Sequence, residues 1–262
     1  MSKLQVINVS KQFLDEKKGV QIRAIENVNL SIEEGQFVCF VGPSGCGKST
    51  LLNILAGLDR PSDGEVVLNG QVVKGTGSDR VMVFQENALF PWLKVLDNVE
   101  FGLKMAGIEK KRRFEISMRY LELMQLTRFA DSYTYQLSGG MKQRVAIARA
   151  LVTDPEVLLM DEPFAALDSQ TRDLLLVELQ LLWAKTRKTI VFVTHNILES
   201  VCLGDKVVVF TSRPGKIKAE IAVGYRRPRL SEDSNLQKYQ QRILEELKQE
   251  IISARKMDDP WF

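Results

Sequence analysis

The sequence predicts an α/β fold with a mainly parallel sheet, a small antiparallel β subdomain ahead of it and a helical insert in its middle. Three observations predict it. First, "FVCFVG" ending at Gly42, "VLLMDEP" ending at Pro163 and "TIVFVTH" ending at His195 are continuous apolar runs, each followed by a helical pattern, as expected of strands covered on both faces in a parallel sheet. Second, "LQVINVS" near the start and "IENVNLSI" up to Ile32 alternate apolar and polar residues, which suits half-exposed strands. In the same subdomain "GEVVLNGQVV", residues 64–73, sets Asn69-Gly70 between two short apolar runs, a strong local signal for a hairpin turn. Third, between about residues 93 and 153 the apolar positions recur at helical spacing, as in "FEISMRYLELM", with no convincing strand. After Val208 the chain turns polar and basic through "RPGKIKAEIAVGYRRPRL" and ends in a charged, helix-like stretch before "DDPWF". These patterns divide the chain into residues 1–225, carrying the insert at about 88–153, and a basic, helical tail at 226–262.

Composition narrows the class. At 262 residues and 45% apolar, the chain is long enough for a real buried core. Its 36 basic and 33 acidic residues are too balanced to argue for nucleic acid on electrostatic grounds. Three cysteines, Cys39, Cys46 and Cys202, are an odd number without metal-type spacing, so a reducing compartment is expected rather than a disulfide framework. No signal-like start and no apolar run near the roughly 20 residues of a spanning helix is visible. A soluble, intracellular chain is expected.

The first chemistry lies in "GPSGCGKST", residues Gly42, Pro43, Ser44, Gly45, Cys46, Gly47, Lys48, Ser49 and Thr50. It fits G-x-x-x-x-G-K-[ST] between an apolar strand and a helix, the pattern of a P-loop NTPase. Its glycines let successive N–H groups turn toward phosphate oxygens, and the helix N-terminus adds its positive dipole end. Lys48 is expected to reach the β- and γ-phosphates, and the Ser49 hydroxyl to ligate Mg²⁺. Asp161, ending the buried run "VLLMD", is expected beside the strand that leads into Gly42, and a carboxylate there needs a cation such as Mg²⁺ with its water shell. Glu162 follows and is free to polarise a water for in-line attack. His195, the only histidine, ends the third apolar strand on the same edge and could donate a hydrogen bond to the γ-phosphate. Cys46 sits where a helix N-terminus and Lys48 would lower a thiol pKa, so alkylation there is expected to block nucleotide binding. Arg226, Arg227 and Arg229 form a basic cluster that could face anionic lipid headgroups but reads better as a solvated surface.

A second Gly-rich helix start, "LSGGMKQR", residues 137–144, offers Ser138, Gly139 and Gly140 as another anion-binding surface. One chain thus has two phosphate sites, and in a two-fold dimer each insert could close over the partner's nucleotide.

Together the phosphate loop, "LSGGMKQR", "LLMDEP", "AALD" and "VTH" occur in the order and spacing of the ATP-binding subunits of ABC transporters, and the chain strongly resembles that family over about residues 1–225. The resemblance implies a head-to-tail sandwich of two such subunits, homodimer or close relatives, binding ATP and Mg²⁺ and driving two transmembrane permease subunits at the cytoplasmic face of the inner membrane. It implies that Gln85, in "VFQEN", touches Mg²⁺ and the attacking water, that Asp168, in "AALD", crosses the dimer interface, and that Phe13 stacks on adenine, where Tyr is commoner in the family. Together with Lys48, Glu162 and His195, Gln85 would form the catalytic group. The segments "ALFPWLKVLDNVEFGL" and "TSRPGKI" resemble the nitrate, sulfonate and taurine importers, which implies a small anion handed over by an external solute-binding protein. In that family the region of Pro91-Trp92 lies against the permease. The chain is expected to lack a second ATPase half and a long regulatory domain. Two alternatives stay open at this stage: an ABC-type ATPase doing other work, such as export, translation or DNA repair, and a nucleotide-binding regulator without turnover. Glu162 and His195 argue against the second.

Overall fold

The computed structural model describes residues 2–15 and 19–258; residues 259–262, which close the tail, lie outside the described residues. The chain opens with β1 (Ser2–Asp15) and β2 (Val20–Glu33), which pair antiparallel. The apolar β3 (Phe37–Val41) leads through the Gly-rich loop into α1 (Lys48–Ala56). β4 (Asp63–Leu68) and β5 (Gln71–Val72) form the expected hairpin, turning on Asn69 and Gly70 with φ of 50° and 77°. Two successive left-handed residues match such a tight turn to the twist of its strands. After β6 (Arg80–Val83) come α2 (Val95–Met105), α3 (Lys110–Leu123) and α4 (Gly139–Leu151). The chain then alternates β7 (Val157–Asp161), α5 (Ser169–Thr186), β8 (Thr189–Val193), α6 (Ile197–Leu203), β9 (Lys206–Phe210) and β10 (Ile217–Ala222), and ends in α7 (Gln237–Asp258).

β2, β1, β4 and β5 make a four-stranded antiparallel sheet; β10, β9, β3, β8, β7 and β6 make a six-stranded sheet, parallel except for β10 at its edge. All five residues of β3 and of β8 are buried. Because successive side chains point to opposite faces, Phe37, Cys39 and Val41 enter a core shared with the insert and with α5, α6 and α7. Val38 and Phe40 enter a second core shared with α1 and the antiparallel sheet. Both faces of the parallel sheet are therefore covered, and polar chemistry is confined to the strand ends. Among the described residues no helix is long and apolar enough to cross a membrane.

Three differences from the sequence reading have physical causes. β8 lies between β3 and β7, so Asp161 is not beside the strand that feeds the phosphate loop; α1 packs over β8 and β7 and carries Ser49 to it instead. β10 falls in the stretch read as merely polar and basic. It is an edge strand with Ile221 buried and its neighbours exposed, so its alternation is short and its composition polar.

The third difference is the basic cluster. Arg226 is exposed, but Arg229 is 1% exposed. Its guanidinium donates to the carbonyls of Val201 and Gly204 at 2.7 Å, of Val223 at 2.9 Å, and of Tyr225 at 2.7 and 3.0 Å. Gln180 of α5 accepts from its amide and donates to its carbonyl. Burial, with Arg227 nearby, pushes the Arg229 pKa down to about 10. Arg227 stacks on Trp183 at 4.2 Å and pairs with Asp205. These two arginines pin the chain beyond β10 to the core, and Leu236, Ile243 and Leu247 continue that packing into the tail. Arg229→Ala would strand the buried carbonyls of Val201, Gly204 and Val223 and the half-buried one of Tyr225, and a loss of about 3 kcal/mol or more in urea unfolding is expected.

Candidate functional site

The phosphate loop is shaped from within and from behind. Gly45 and Gly47 take φ of 70° and 98°. A Cβ at Gly47 would lie 2.4 Å from Ile25 Cγ2 and 2.8 Å from the Ala24 carbonyl, so this position requires glycine both for its conformation and for its packing on β2. Lys48 is 5% exposed and donates to the carbonyls of Gly42 and Pro43 at 2.8 and 2.9 Å, with Cys46 Sγ at 3.6 Å. No carboxylate lies within ion-pair distance of Lys48 among the described residues. A buried cation without a counter-charge fits an anionic ligand. The loop borders a cleft of about 460 Å³ lined by residues 44–50, by Phe13, Ile22 and Ala24 of the antiparallel sheet, and by Glu162 and Arg213. Phe13 is 44% exposed, with Lys11 Nζ 5.1 Å from its ring centre, so an aromatic surface stands open at a cleft that also holds the phosphate loop.

At the loop's helix end the Ser49 hydroxyl donates to Asp161 Oδ1 at 2.9 Å. Burial, and then Glu162, push the Asp161 carboxyl above its usual range against the Ser49 hydrogen bond and Lys48. A hydroxyl beside a carboxylate that burial disfavours as an anion fits Mg²⁺, a cation that takes few protein ligands and fills its shell from phosphate and water. Among the described residues no cluster of three or more His, Cys, Asp or Glu is placed to hold a metal; the donors paired at this end of the cleft are Ser49 of the loop and Asp161 at the end of β7. Glu162 has φ 43°, and its amide donates to the Val193 carbonyl at 3.0 Å. Its Oε2 lies 3.0 Å from His195 Nδ1, which leaves His195 Nε2 without a protein partner among the described residues. The turn bearing His195 is fixed by Thr194, which donates to Glu199, and by Arg172, which pairs with Glu199 at 3.5 Å and donates to Leu167 at 2.8 Å.

The other candidates stand apart from the cleft. Gln85 is exposed just after β6, at the same sheet edge as Glu162. Ser138 caps α4 by accepting from the Met141 amide at 3.3 Å. Asp168 caps α5, and the hydrogen bond from the Thr171 amide at 2.9 Å holds its carboxyl below the usual range. A Cβ on Gly140 would meet Thr171 Cγ2 at 2.4 Å, whereas one on Gly139 would meet Leu167 at 3.4 Å. Gly140 is thus a packing position between α4 and α5, and Gly139 keeps the helix entrance open. Neither glycine lines the cleft of its own chain, nor does Ser138.

Arg149, Arg172 and Arg213 escaped the sequence reading. Arg149 donates to the carbonyls of Ala88 and Asn87 and lies 5.4 Å from the Phe90 ring, tying α4 to the segment after Gln85. No local pattern distinguishes these arginines from solvated ones, because each has a partner far away in the chain: Ala88 for Arg149, Glu199 for Arg172 and Gly45 for Arg213.

The expectation of a reactive Cys46 is overturned. Its side chain is 1% exposed, and burial raises the thiol pKa more than Lys48 lowers it. Cys39 is likewise raised well above the ordinary range and Cys202 to about 12, both through burial. Titration with Ellman's reagent at pH 8 should find all three thiols slower than free cysteine in the native chain and all three reactive in denaturant.

Comparisons with known proteins give the family. The family described as ABC transporter matches residues 25–165. The chain is 50% identical over 254 residues to an ABC transporter ATP-binding protein, MJ0412, of Methanocaldococcus jannaschii, covering 97% of this chain and 94% of the relative. It is 47% identical to the nitrate import ATP-binding protein NrtD of Synechocystis, with 84% of this chain and 82% of the relative covered. It is 46% identical to the taurine import ATP-binding protein TauB of Rhizobium johnstonii, with 82% of each covered. Among solved structures, the dimeric ATP-binding cassette MJ0796 in a post-hydrolysis state with ADP and phosphate superposes with a TM-score of 0.74 at 36% identity, covering 85% of this chain and 100% of that one. With a nucleotide-sized cleft, a shaped phosphate loop and these relatives in agreement, the chain belongs to the ABC transporter family as an ATP-binding subunit.

Proposed function

We propose that this chain hydrolyses ATP as one half of a head-to-tail dimer and so powers import of a small anion through separate membrane permease subunits. One observation carries the catalytic part: Lys48, the Ser49–Asp161 pair and the Glu162–His195 pair gather at one sheet edge around one cleft. Phe13 supplies the face for adenine, the amides from Ser44 to Thr50 and Lys48 hold the phosphates, and Ser49 and Asp161, with Gln85 from the end of the neighbouring strand β6, would hold Mg²⁺. That ion, when bound, neutralises charge on the β- and γ-phosphates. Glu162 takes the proton of the attacking water. The hydrogen bond that His195 Nδ1 donates to the Glu162 carboxylate orients the ring, whose Nε2 would face the γ-phosphate.

Support for the dimer comes from the position of Ser138, Gly139 and Gly140: a helix start suited to anions that does not line its own chain's cleft. Asp168 stands beside it through Thr171 and faces the same partner. Support for the permease comes from an exposed aromatic group on the insert. Trp92 and Tyr135 are each 70% exposed, and the Lys94–Tyr133 bridge draws their segments together; such a surface on a monomer suits a protein partner. The names of the nitrate and taurine relatives support import of a small anion as the work; an external solute-binding protein as its source and a peripheral place on the cytoplasmic face of the inner membrane belong to the same proposal. No observation favours export or work on nucleic acid.

Glu162→Gln should bind ATP, lose about 10³-fold in turnover, and shift from monomer to dimer on light scattering with Mg-free ATP; near wild-type hydrolysis would remove Glu162 from its role. Ser138→Arg should bind ATP with unchanged affinity and stay monomeric in the same assay when combined with Glu162→Gln. A dimer formed by that double variant would show that the second glycine-rich start lies outside the interface.

A further inference from the structure

Arg213 lines the cleft from an element that the catalytic reading does not use, the turn between β9 and β10. Its Nε donates to the Gly45 carbonyl at 3.2 Å, and its guanidinium approaches so closely that a Cβ on Gly45 would lie 3.1 Å from it. The turn is seated directly on the loop. Gly215 donates to the Ala24 carbonyl at 2.9 Å and accepts from the Glu26 amide at 3.0 Å. A Cβ on Gly215 would fall 1.9 Å from the Cys46 carbonyl, so only glycine lets the turn come this near. Arg213 is exposed and has no carboxylate partner among the described residues, and its fork keeps donors free beyond the one given to Gly45. A planar cation fixed at the rim of a phosphate loop, with unused donors, is suited to phosphate oxygens.

The same turn is held from behind by the tail. Glu250 of α7 accepts from the Ser212 amide at 2.8 Å and from its hydroxyl at 3.2 Å, and pairs with Lys218 of β10 at 3.0 Å. The Lys218 ammonium also donates to the Glu246 carbonyl at 2.8 Å. The residue next to Arg213 is therefore clamped to the C-terminal helix.

We propose that Arg213 is a second cation of the nucleotide site, contacting the phosphate chain of the bound nucleotide, and that Glu250 is a positioning residue that holds it there. The inference rests on reading the cleft as an ATP site. It gives the tail a place in nucleotide binding: whatever moves α7 moves the turn that presents Arg213.

Calorimetry with ATP and with ADP on the full chain tests this. Arg213→Ala should weaken binding about tenfold, and the difference from wild type should shrink as salt is raised. Equal losses for ATP and ADP place the contact on the α- or β-phosphate; a loss for ATP alone places it on the γ-phosphate. Arg213→Gln keeps a neutral donor for the Gly45 carbonyl and should bind as weakly as Arg213→Ala, whereas Arg213→Lys should recover part of the affinity. Full affinity in Arg213→Gln would mean that the side chain only braces the loop, and unchanged affinity in Arg213→Ala would likewise overturn the proposal. Failure of the wild-type chain to bind ATP would instead overturn the reading of the cleft itself. Glu250→Ala should raise the KM for ATP with kcat unchanged and add nothing to Arg213→Ala; a change in kcat, or full additivity, would overturn the positioning role.

Discussion

Burial of the parallel sheet on both faces is the constraint on which the rest depends. With β3 and β8 fully enclosed and β7 enclosed but for its last residue, a charge inside either layer would have no solvent and no partner. Polar groups can appear only where the strands stop. The carboxyl edge therefore collects the phosphate loop after β3, Asp161 and Glu162 after β7 and His195 after β8. The site is a consequence of the layering as much as of the residues in it.

Within that edge, charges of both signs are held close without cancelling. Lys48 is wrapped by its own loop's carbonyls, and Asp161 is bonded to a neutral hydroxyl and sits beside Glu162. On the function proposed above, the cation would meet phosphate, and Asp161 with Ser49 would meet a metal ion. Either charge can be met by a ligand that carries both, which is the character of a magnesium nucleotide.

Arginines link distant parts of the chain to this edge. Arg229 and Arg227 fasten the segment beyond β10 to α5 and α6; Arg172 steadies the turns carrying Leu167 and His195; Arg149 joins α4 to the segment that follows Gln85. Each uses several donors at once on backbone carbonyls or a carboxylate, which a lysine's point charge could not reproduce. The helical insert and the tail are thereby connected to the groups around the cleft through backbone contacts.

The fold class, the hairpin at Asn69-Gly70, the three apolar strands and the loop from Gly42 to Thr50 were legible in the sequence because each is written in neighbouring residues: an unbroken apolar run, an alternation, a glycine spacing. Asp161, Glu162 and His195 were legible as strand ends for the same reason. The place of β8 between β3 and β7 was not, since pairing depends on how helices cross the sheet. Nor was the burial of Cys46 and Arg229, whose surroundings come from β2, β9, α5 and α6. Arg213 lay inside the segment "TSRPGKI" without a mark of its own: its meaning lies in a turn docked on a loop about 170 residues earlier. The sequence by itself determined which chemistry the chain carries. Only the tertiary structure decided which charges face the cleft and which are spent holding it together, because solvation and partners are properties of three-dimensional neighbours.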